Sequence, residues 1–194
     1  MTLKHSGTQN GRAFVGNGAT EMHREPVAEL DQILSLLAES GLPVSDISRA
    51  HLPLFFGIQS DSGLIAVIGL ELFGTVGLLR SLAVSKACRG QRFGRQLVDF
   101  AEHYAAECGA ETLFLLTTTA AVFFQQLGYN QVARADVPHA IRSTSQFSSL
   151  CPASSVVLSK KVAGFTPTSC SRGMPAISLL TDELMREAGN RRHP

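Results

Sequence analysis

The sequence predicts one mixed α/β domain flanked by tails, and three observations predict it. Two stretches carry apolar residues at three- and four-residue spacing, the period of a helix with one buried face. Around them lie short apolar runs bounded by Gly, Ser and Asp, which read as strands. Hydrophobic residues make up 44% of the 194-residue chain and charged residues 17%, a balance that supports a packed core. That length fits one large domain, or one domain plus tails, better than two full domains.

Residues 1–25 are polar, of mixed charge and rich in Gly, Asn and Thr, so they read as a flexible segment without the apolar stretch of a secretory signal. A domain over 26–161 follows. Its first helix is expected from Pro26 to Ser40, with Val27, Leu30, Ile33, Leu34 and Leu37 on one face. Pro26 suits a first helical position, and Gly41 followed by Pro43 supplies the stop. Leu54 to Ile58 and Gly63 to Leu72, around the turn residues Ser60 to Gly63, predict a hairpin. After a tight turn at Gly74-Thr75, Val76 to Val84 predicts the next strand.

Gln91 to Glu107 is expected to be the long helix, with Phe93, Leu97, Phe100, Ala101, Tyr104 and Cys108 on one face and Gly109 as its cap. Glu111 to Thr117 reads as a buried strand. Thr118 or Thr119 then caps a short helix whose apolar face is Ala120, Phe123, Phe124 and Leu127, closed by Gly128. Tyr129 to Ala133 and Ser155 to Leu158 predict two last strands, separated by a long loop with His139 and Arg142. The extension over 162–194 is a Pro-, Ser- and Gly-rich linker with a helix expected from Ile177 to Ala188.

Charge and cysteine usage narrow the function classes. Seventeen Lys and Arg against sixteen Asp and Glu leave a formal net charge of +1, so no global basic field draws the chain onto nucleic acid or an anionic membrane. The most apolar stretch, Gly63 to Leu79, is broken by Glu71 and Gly74-Thr75 and is too short for a membrane span. Cys88, Cys108, Cys151 and Cys170 form no C-x-x-C pair, which fits neither a structural zinc site nor a secreted disulfide scaffold. A shared soft-metal site on Cys88 and Cys108 is improbable, because helix rise sets them roughly 25–30 Å apart. No metal is expected, and a reducing cytoplasm is the default location.

The useful charge is local. Between the strand ending at Val84 and the long helix stand Lys86, Arg89, Arg92 and Arg95, interleaved with Gly90 and Gly94. Unpaired N–H groups and the dipole make a helix N-terminus positive, so added cations there are unfavourable unless an anion offsets them. With glycines that admit close approach, the segment reads as a phosphate or pyrophosphate cradle. Its simpler alternative is a solvated basic helix start. Neither a Walker loop nor a G-x-G-x-x-G fingerprint is present.

Leu79-Arg80-Ser81-Leu82-Ala83-Val84, then Arg89-Gly90-Gln91-Arg92-Phe93-Gly94, then Leu127-Gly128-Tyr129 after a short helix, resembles the GNAT acetyltransferase superfamily. Arg89 and Gly94 match the ends of that superfamily's Arg/Gln-x-x-Gly-x-Gly/Ala motif, whereas Arg92 stands at its middle glycine. The resemblance implies a mixed, largely antiparallel twisted sheet that splays between two central parallel strands, with helices on both faces. It implies acetyl transfer from acetyl-CoA to the amine of a small molecule, by a chain that can pair as a homodimer.

The same resemblance assigns the site. The main chain of Leu82, Ala83 and Val84 would pair with the pantetheine amides, and Arg89, Gly90, Gln91, Arg92, Phe93, Gly94 and Arg95 would hold the pyrophosphate. Thr117 would line the cofactor cleft. The N–H of Val84 or Ala83 would face the acetyl oxygen. Phe124 occupies the position where the family usually has a Tyr that protonates the departing thiolate, and is expected to pack against the cofactor instead. Glu71 reads either as a base acting through water or as a surface carboxylate, and His139 most simply as a solvated loop histidine. Arg80, Ser81, Arg142 and Thr118 are the expected acceptor contacts, the two arginines forming a clamp for an acidic small molecule. Arg80 also reads as a snorkelling side chain.

Gly41-Leu42-Pro43, the Leu115 to Tyr129 block and Ala140 to Ser154 are similar to the GNAT proteins of arsenic-resistance operons. That narrower resemblance implies an amino-acid-like arsenical of the arsinothricin type as acceptor. Two alternatives remain: a protein or peptide N-acetyltransferase, and a degenerate CoA-binding sensor, which Arg92 and Phe124 favour.

Overall fold

A computed structural model describes residues 21–22, 30–48, 53–61 and 63–162. The helix start expected at Pro26, the segment before Glu21 and the extension beyond Val162, with its expected helix, lie outside the described residues. Within them a seven-stranded sheet has the order β1-β2-β3-β4-β5-β7-β6. Its strands are β1 (Glu21–Met22), β2 (Leu54–Ser60), β3 (Gly63–Phe73), β4 (Val76–Val84), β5 (Thr112–Thr117), β6 (Asn130–Val132) and β7 (Val156–Lys161). The helices are α1 (Leu30–Glu39), α2 (Phe93–Glu107), α3 (Ala121–Gln126) and α4 (His139–Arg142). Every expected strand is present within a few residues of its expected ends. The long helix begins at Phe93 and not at Gln91.

Two-residue alternation decides which face each strand buries. Phe56, Ile58, Ile68, Leu70, Leu79, Leu113, Leu115 and Leu158 point to one face, where Leu97, Val98, Ala101 and Ala105 of α2 and Phe124 of α3 cover them. The opposite face carries two separate clusters. Phe55, Val67 and Ala83 pack under Ile33, Leu36 and Leu37 of α1. Leu78, Phe114 and Val157 pack under Val137 and Ile141 of the β6–β7 connection. Arg80 lies along β4 between these two clusters. The connection, expected as a loop, is largely helical: a 3-10 turn over Arg134–Asp136, α4, and a wide turn over Gln146–Leu150.

All neighbouring strands pair antiparallel except β4 and β5. That parallel pair is short: it consists of Val76↔Thr112, Gly77↔Leu113 and Leu78↔Phe114. Gly77 permits it, since a Cβ there would stand 2.7 Å from Leu113 Cδ2. β5 continues to Thr117 against β7, and β4 continues to Val84 against β3. Beyond Leu78 the two strands diverge, and the sheet is split at its centre.

A bulge sits where the split begins. Gly69 pairs with Arg80 and Val67 with Ala83, so three steps on β4 match two on β3. Ser81 takes the extra step with φ of 54°, the left-handed conformation that a Cβ disfavours. A bulge bends its strand and shifts the side-chain phase. Arg80 and Ala83 therefore share a face, while Leu79, Leu82 and Val84 share the other.

Among the described residues no helix is long and apolar enough to cross a membrane.

Candidate functional site

The split opens into a cavity of about 820 Å³. β4 supplies one wall, with Leu79, Leu82 and Val84; β5 supplies the other, with Leu115, Leu116 and Thr117. Phe123 and Phe124 of α3 close it on the helical face, and Ser40 and Leu42 edge it after α1. Its mouth is the turn from Cys88 to Arg95, in which Arg89, Gly90, Arg92, Phe93, Gly94 and Arg95 all line the cavity.

The ladder settles which main-chain groups of β4 face this space. The Ser85 N–H donates to the Ile65 carbonyl at 2.8 Å, which makes that residue pair a hydrogen-bonded one. Antiparallel pairs alternate, so Ala66↔Val84 is a non-bonded pair and Val67↔Ala83 a bonded one. The N–H and carbonyl of Val84 thus point away from β3 toward the cleft, and the Arg89 Nε–H donates to that carbonyl at 3.2 Å. The main chain of Ala83 is turned to β3. This corrects the expectation that Ala83, too, would present its amide to a thioester.

α2 starts with no acidic residue in its first turn, and no side chain caps it, so its N–H groups and its dipole face the basic turn. Gly90 has φ of 79°, and Arg92, the N-cap, has φ of 65°. Arg92 therefore adopts the left-handed conformation that a glycine at this motif position would take freely. Arg92→Gly is expected to stabilise the fold by about 1 kcal/mol, the steric cost of a Cβ in that conformation; a denaturant midpoint that falls would show that the turn is not strained. Arg95 makes an exposed i,i+4 pair with Asp99 at 3.6 Å, an interaction worth little.

Among the described residues Arg80 is the one charged residue that is buried. Its side chain is 4% exposed. It grips Asp46 with a two-pronged fork, Nη1 to Oδ2 at 2.7 Å and Nη2 to Oδ1 at 2.8 Å. Nη1 also reaches Glu71 Oε1 at 2.7 Å, and Nε reaches Ser81 Oγ at 3.3 Å. Gln146 Nε2 donates to Asp46 Oδ2 at 3.4 Å from the β6–β7 connection. Burial raises the Asp46 carboxyl and lowers Arg80, but the hydrogen bonds and charges within the cluster outweigh burial, leaving Asp46 below and Arg80 above their ordinary values.

This geometry revises the acceptor contacts. Arg80 and Ser81 do line the cavity, but Arg80 is neutralised by two carboxylates and is not a free clamp for an acid. Glu71, expected as a base, is held by Arg80 and does not line the cavity. Arg142 is exposed at the end of α4, and neither it nor Thr118 nor Gln91 lines the cavity. The expected Thr118 or Thr119 cap is not formed: Ala120 is the N-cap of α3, without a side-chain cap bond, and Thr117 Oγ1 accepts from the N–H groups of Thr119 at 3.3 Å and Ala120 at 2.9 Å in the turn before the helix. Asp46 and Gln146 carried no local signal in the sequence, because their partners lie 34 and 100 positions away.

Phe124 packs edge-on against Phe123, with centroids 5.0 Å apart, and against Tyr129 at 5.6 Å. The Tyr129 ring is buried, and its hydroxyl does not line the cavity. Burial, then the nearby carboxylates of Glu102 and Asp99, push that phenol well above its ordinary range. It therefore does not replace the hydroxyl that Phe124 lacks. Cys88 and Cys151 carry free thiols, and Cys88 lines the cavity.

Residues 52–131 match a family model described as an acetyltransferase (GNAT) domain. The chain is similar to the N-acetylglutamate synthase from Neisseria gonorrhoeae complexed with coenzyme A and N-acetyl-glutamate, with a TM-score of 0.64 and 20% identity. That match covers 79% of this chain and 36% of the synthase, so the chain spans about a third of the synthase's length. It is similar to Rv2747 from Mycobacterium tuberculosis in complex with CoA and NLQ, at 0.60 and 16% over 74% of this chain and 99% of the other. An acetyltransferase of the GNAT family from Staphylococcus aureus Mu50 matches at 0.59 and 15% over 75% and 100%. These likenesses establish the GNAT fold.

Proposed function

We propose that this chain, whose residues 52–131 carry an acetyltransferase (GNAT) domain, is an acetyl-CoA-dependent N-acetyltransferase acting on the amine of a small molecule. The observation that carries the reading is the split between β4 and β5 beyond Leu78, which leaves main chain facing a cavity that ends at a basic helix N-terminus. A cofactor with a pyrophosphate and a long amide-bearing arm fits such a site. Its phosphates would lie against the N–H groups of α2 with Arg89 and Arg92 beside them. Its arm would run along Leu82 and Val84.

Acetyl-CoA, when bound, supplies a thioester whose acetyl group can pass to an amine. The chain's part is to hold and orient. Val84 N–H faces the cleft and would donate to the acetyl oxygen as negative charge develops there. Phe123 and Phe124 exclude water from that end of the cavity. Phe124 offers no proton to the leaving thiolate, and positioning alone supplies several kcal/mol of the barrier reduction.

The acceptor enters from the face that carries α1 and the β6–β7 connection. An amino-acid-like arsenical of the arsinothricin type is the finer candidate, supported by the sequence resemblance. Arg80 adds no net positive charge to its recognition. Free-thiol release from acetyl-CoA, measured with a panel containing arsinothricin, phosphinothricin, other amino acids and peptide N-termini, tests the reading. Release that depends on one of the small amines is the expected result. Release with peptides alone would move the acceptor class, and coenzyme A binding without any acceptor-dependent release would mark a sensor.

A further inference from the structure

Resting on the cofactor-binding reading above, we propose that Asp46 is a positioning residue: acting through Arg80, it sets the bulge at Ser81 and so the direction in which the main chain of Leu82 and Val84 faces the cleft. Arg80 is two residues past Leu78, the last β4 residue paired with β5, and immediately precedes the bulged Ser81. The strand's direction at this point decides how wide the split is. β3 alone cannot fix that direction, because its register shifts here.

A residue with a Cβ held at φ of 54° needs neighbours that over-determine it. The Arg80 side chain supplies them from three sides. Its Nε reaches Ser81 Oγ, its Nη1 is tied to Glu71 on β3, and both terminal nitrogens are tied to Asp46. The fork to Asp46 is planar and directional, so it fixes the orientation of the guanidinium as well as its position. Gly69 leaves room for this arrangement: a Cβ there would stand 3.0 Å from Arg80 Cγ. The stem of Arg80 can therefore lie flat over β3.

Asp46 is the anchor of the set. It sits in the segment after α1, which also carries the cavity-lining Leu42, and Gln146 ties it to the β6–β7 connection. The segment after α1 and the β6–β7 connection thus meet β4 at one carboxylate. Neither Asp46 nor Glu71 lines the cavity, and the side chain of each reaches β4 through Arg80.

The test uses the full-length chain and two probes, coenzyme A and adenosine 3′,5′-bisphosphate, which lacks the pantetheine arm. In Asp46→Asn, coenzyme A should bind about ten-fold more weakly, a change of about 1.4 kcal/mol, while the bisphosphate keeps its affinity. Amide hydrogen exchange at Ala83, whose N–H is turned to β3, should quicken in the variant. Equal weakening of both probes would overturn the proposal, because a general loss of structure does that; so would unchanged coenzyme A affinity. If Asp46→Asn does not fold, Glu71→Gln is read in the same way, and neither readout involves an acceptor or a base. A wild-type chain that binds neither probe would remove the cofactor reading itself, and this proposal with it.

Discussion

Arg80→Ala should cost about 3–5 kcal/mol of folding stability at neutral pH, the usual penalty for breaking a buried ion pair from one side. The loss does not come from the missing attraction alone. Asp46 and Glu71, with side chains 12% and 24% exposed, would be left without their shared cation. From side chains Asp46 keeps a long hydrogen bond, from Gln146 at 3.4 Å. Against a typical total stability of about 5–15 kcal/mol, such a loss is large. Urea unfolding should show a lower midpoint with an unchanged slope.

The pH dependence gives this prediction a sign that a packing defect would not have. In the wild type the Asp46 carboxyl lies below its ordinary value of 3.8. Its contribution is therefore complete above that value and is lost as pH falls through the lower folded-state value. In Arg80→Ala, burial, the largest influence on the same carboxyl, loses its main opposition and pushes it up. That folded state is penalised at neutral pH and relieved on acidification. The stability gap between variant and wild type should thus narrow from pH 7 toward pH 4. A gap that stays constant, or a loss below about 1 kcal/mol, would show that the carboxylates rehydrate without consequence.

The bulge and its anchor mark where the sequence stops being legible. Periodicity places α1 and α2, each with one face exposed and one buried, and apolar runs bounded by turn residues place all but the shortest strand. The basic turn is legible for a similar reason: Arg89, Gly90, Arg92 and Gly94 are contiguous, and the physics that joins them is local to one helix end. Along β4 the pattern misleads. Leu78-Leu79-Arg80-Ser81-Leu82-Ala83-Val84 reads as a charged residue inside an apolar strand, either facing a cleft as a clamp or snorkelling outward. A one-residue phase shift at Ser81, with two carboxylates from distant segments, instead makes it a neutralised strut. Pairings separated by 9 and 34 positions leave no periodic trace. Arg92 departs from the glycine of the motif, yet its φ of 65° keeps the turn's conformation.

Gly94→Glu should raise stability and abolish cofactor binding at the same time. Gly94 occupies the second position of α2, in a first turn that has no acidic residue and no capping side chain. Replacing glycine in a helix gains about 0.5–1 kcal/mol, and a carboxylate at a helix N-terminus adds about 0.3–1 kcal/mol from the dipole. Space is no obstacle, for a Cβ there meets Phe123 Cζ at 3.6 Å and Val84 Cγ2 at 3.7 Å, ordinary contact distances. The same carboxylate would stand where the cofactor's phosphates are proposed to lie. Two like charges about 4 Å apart near a protein surface repel by about 4 kcal/mol, so a loss on the order of 100-fold in coenzyme A affinity is a conservative expectation at tenfold per 1.4 kcal/mol. Gly94→Gln separates charge from bulk: it keeps most of the helix gain and should bind far better than the glutamate variant. Thermal melts and calorimetric titrations with coenzyme A read the two quantities independently. A more stable Gly94→Glu chain that still binds coenzyme A like the wild type would mean that α2 does not receive the phosphates, and the favourable end of its dipole would then need another anion.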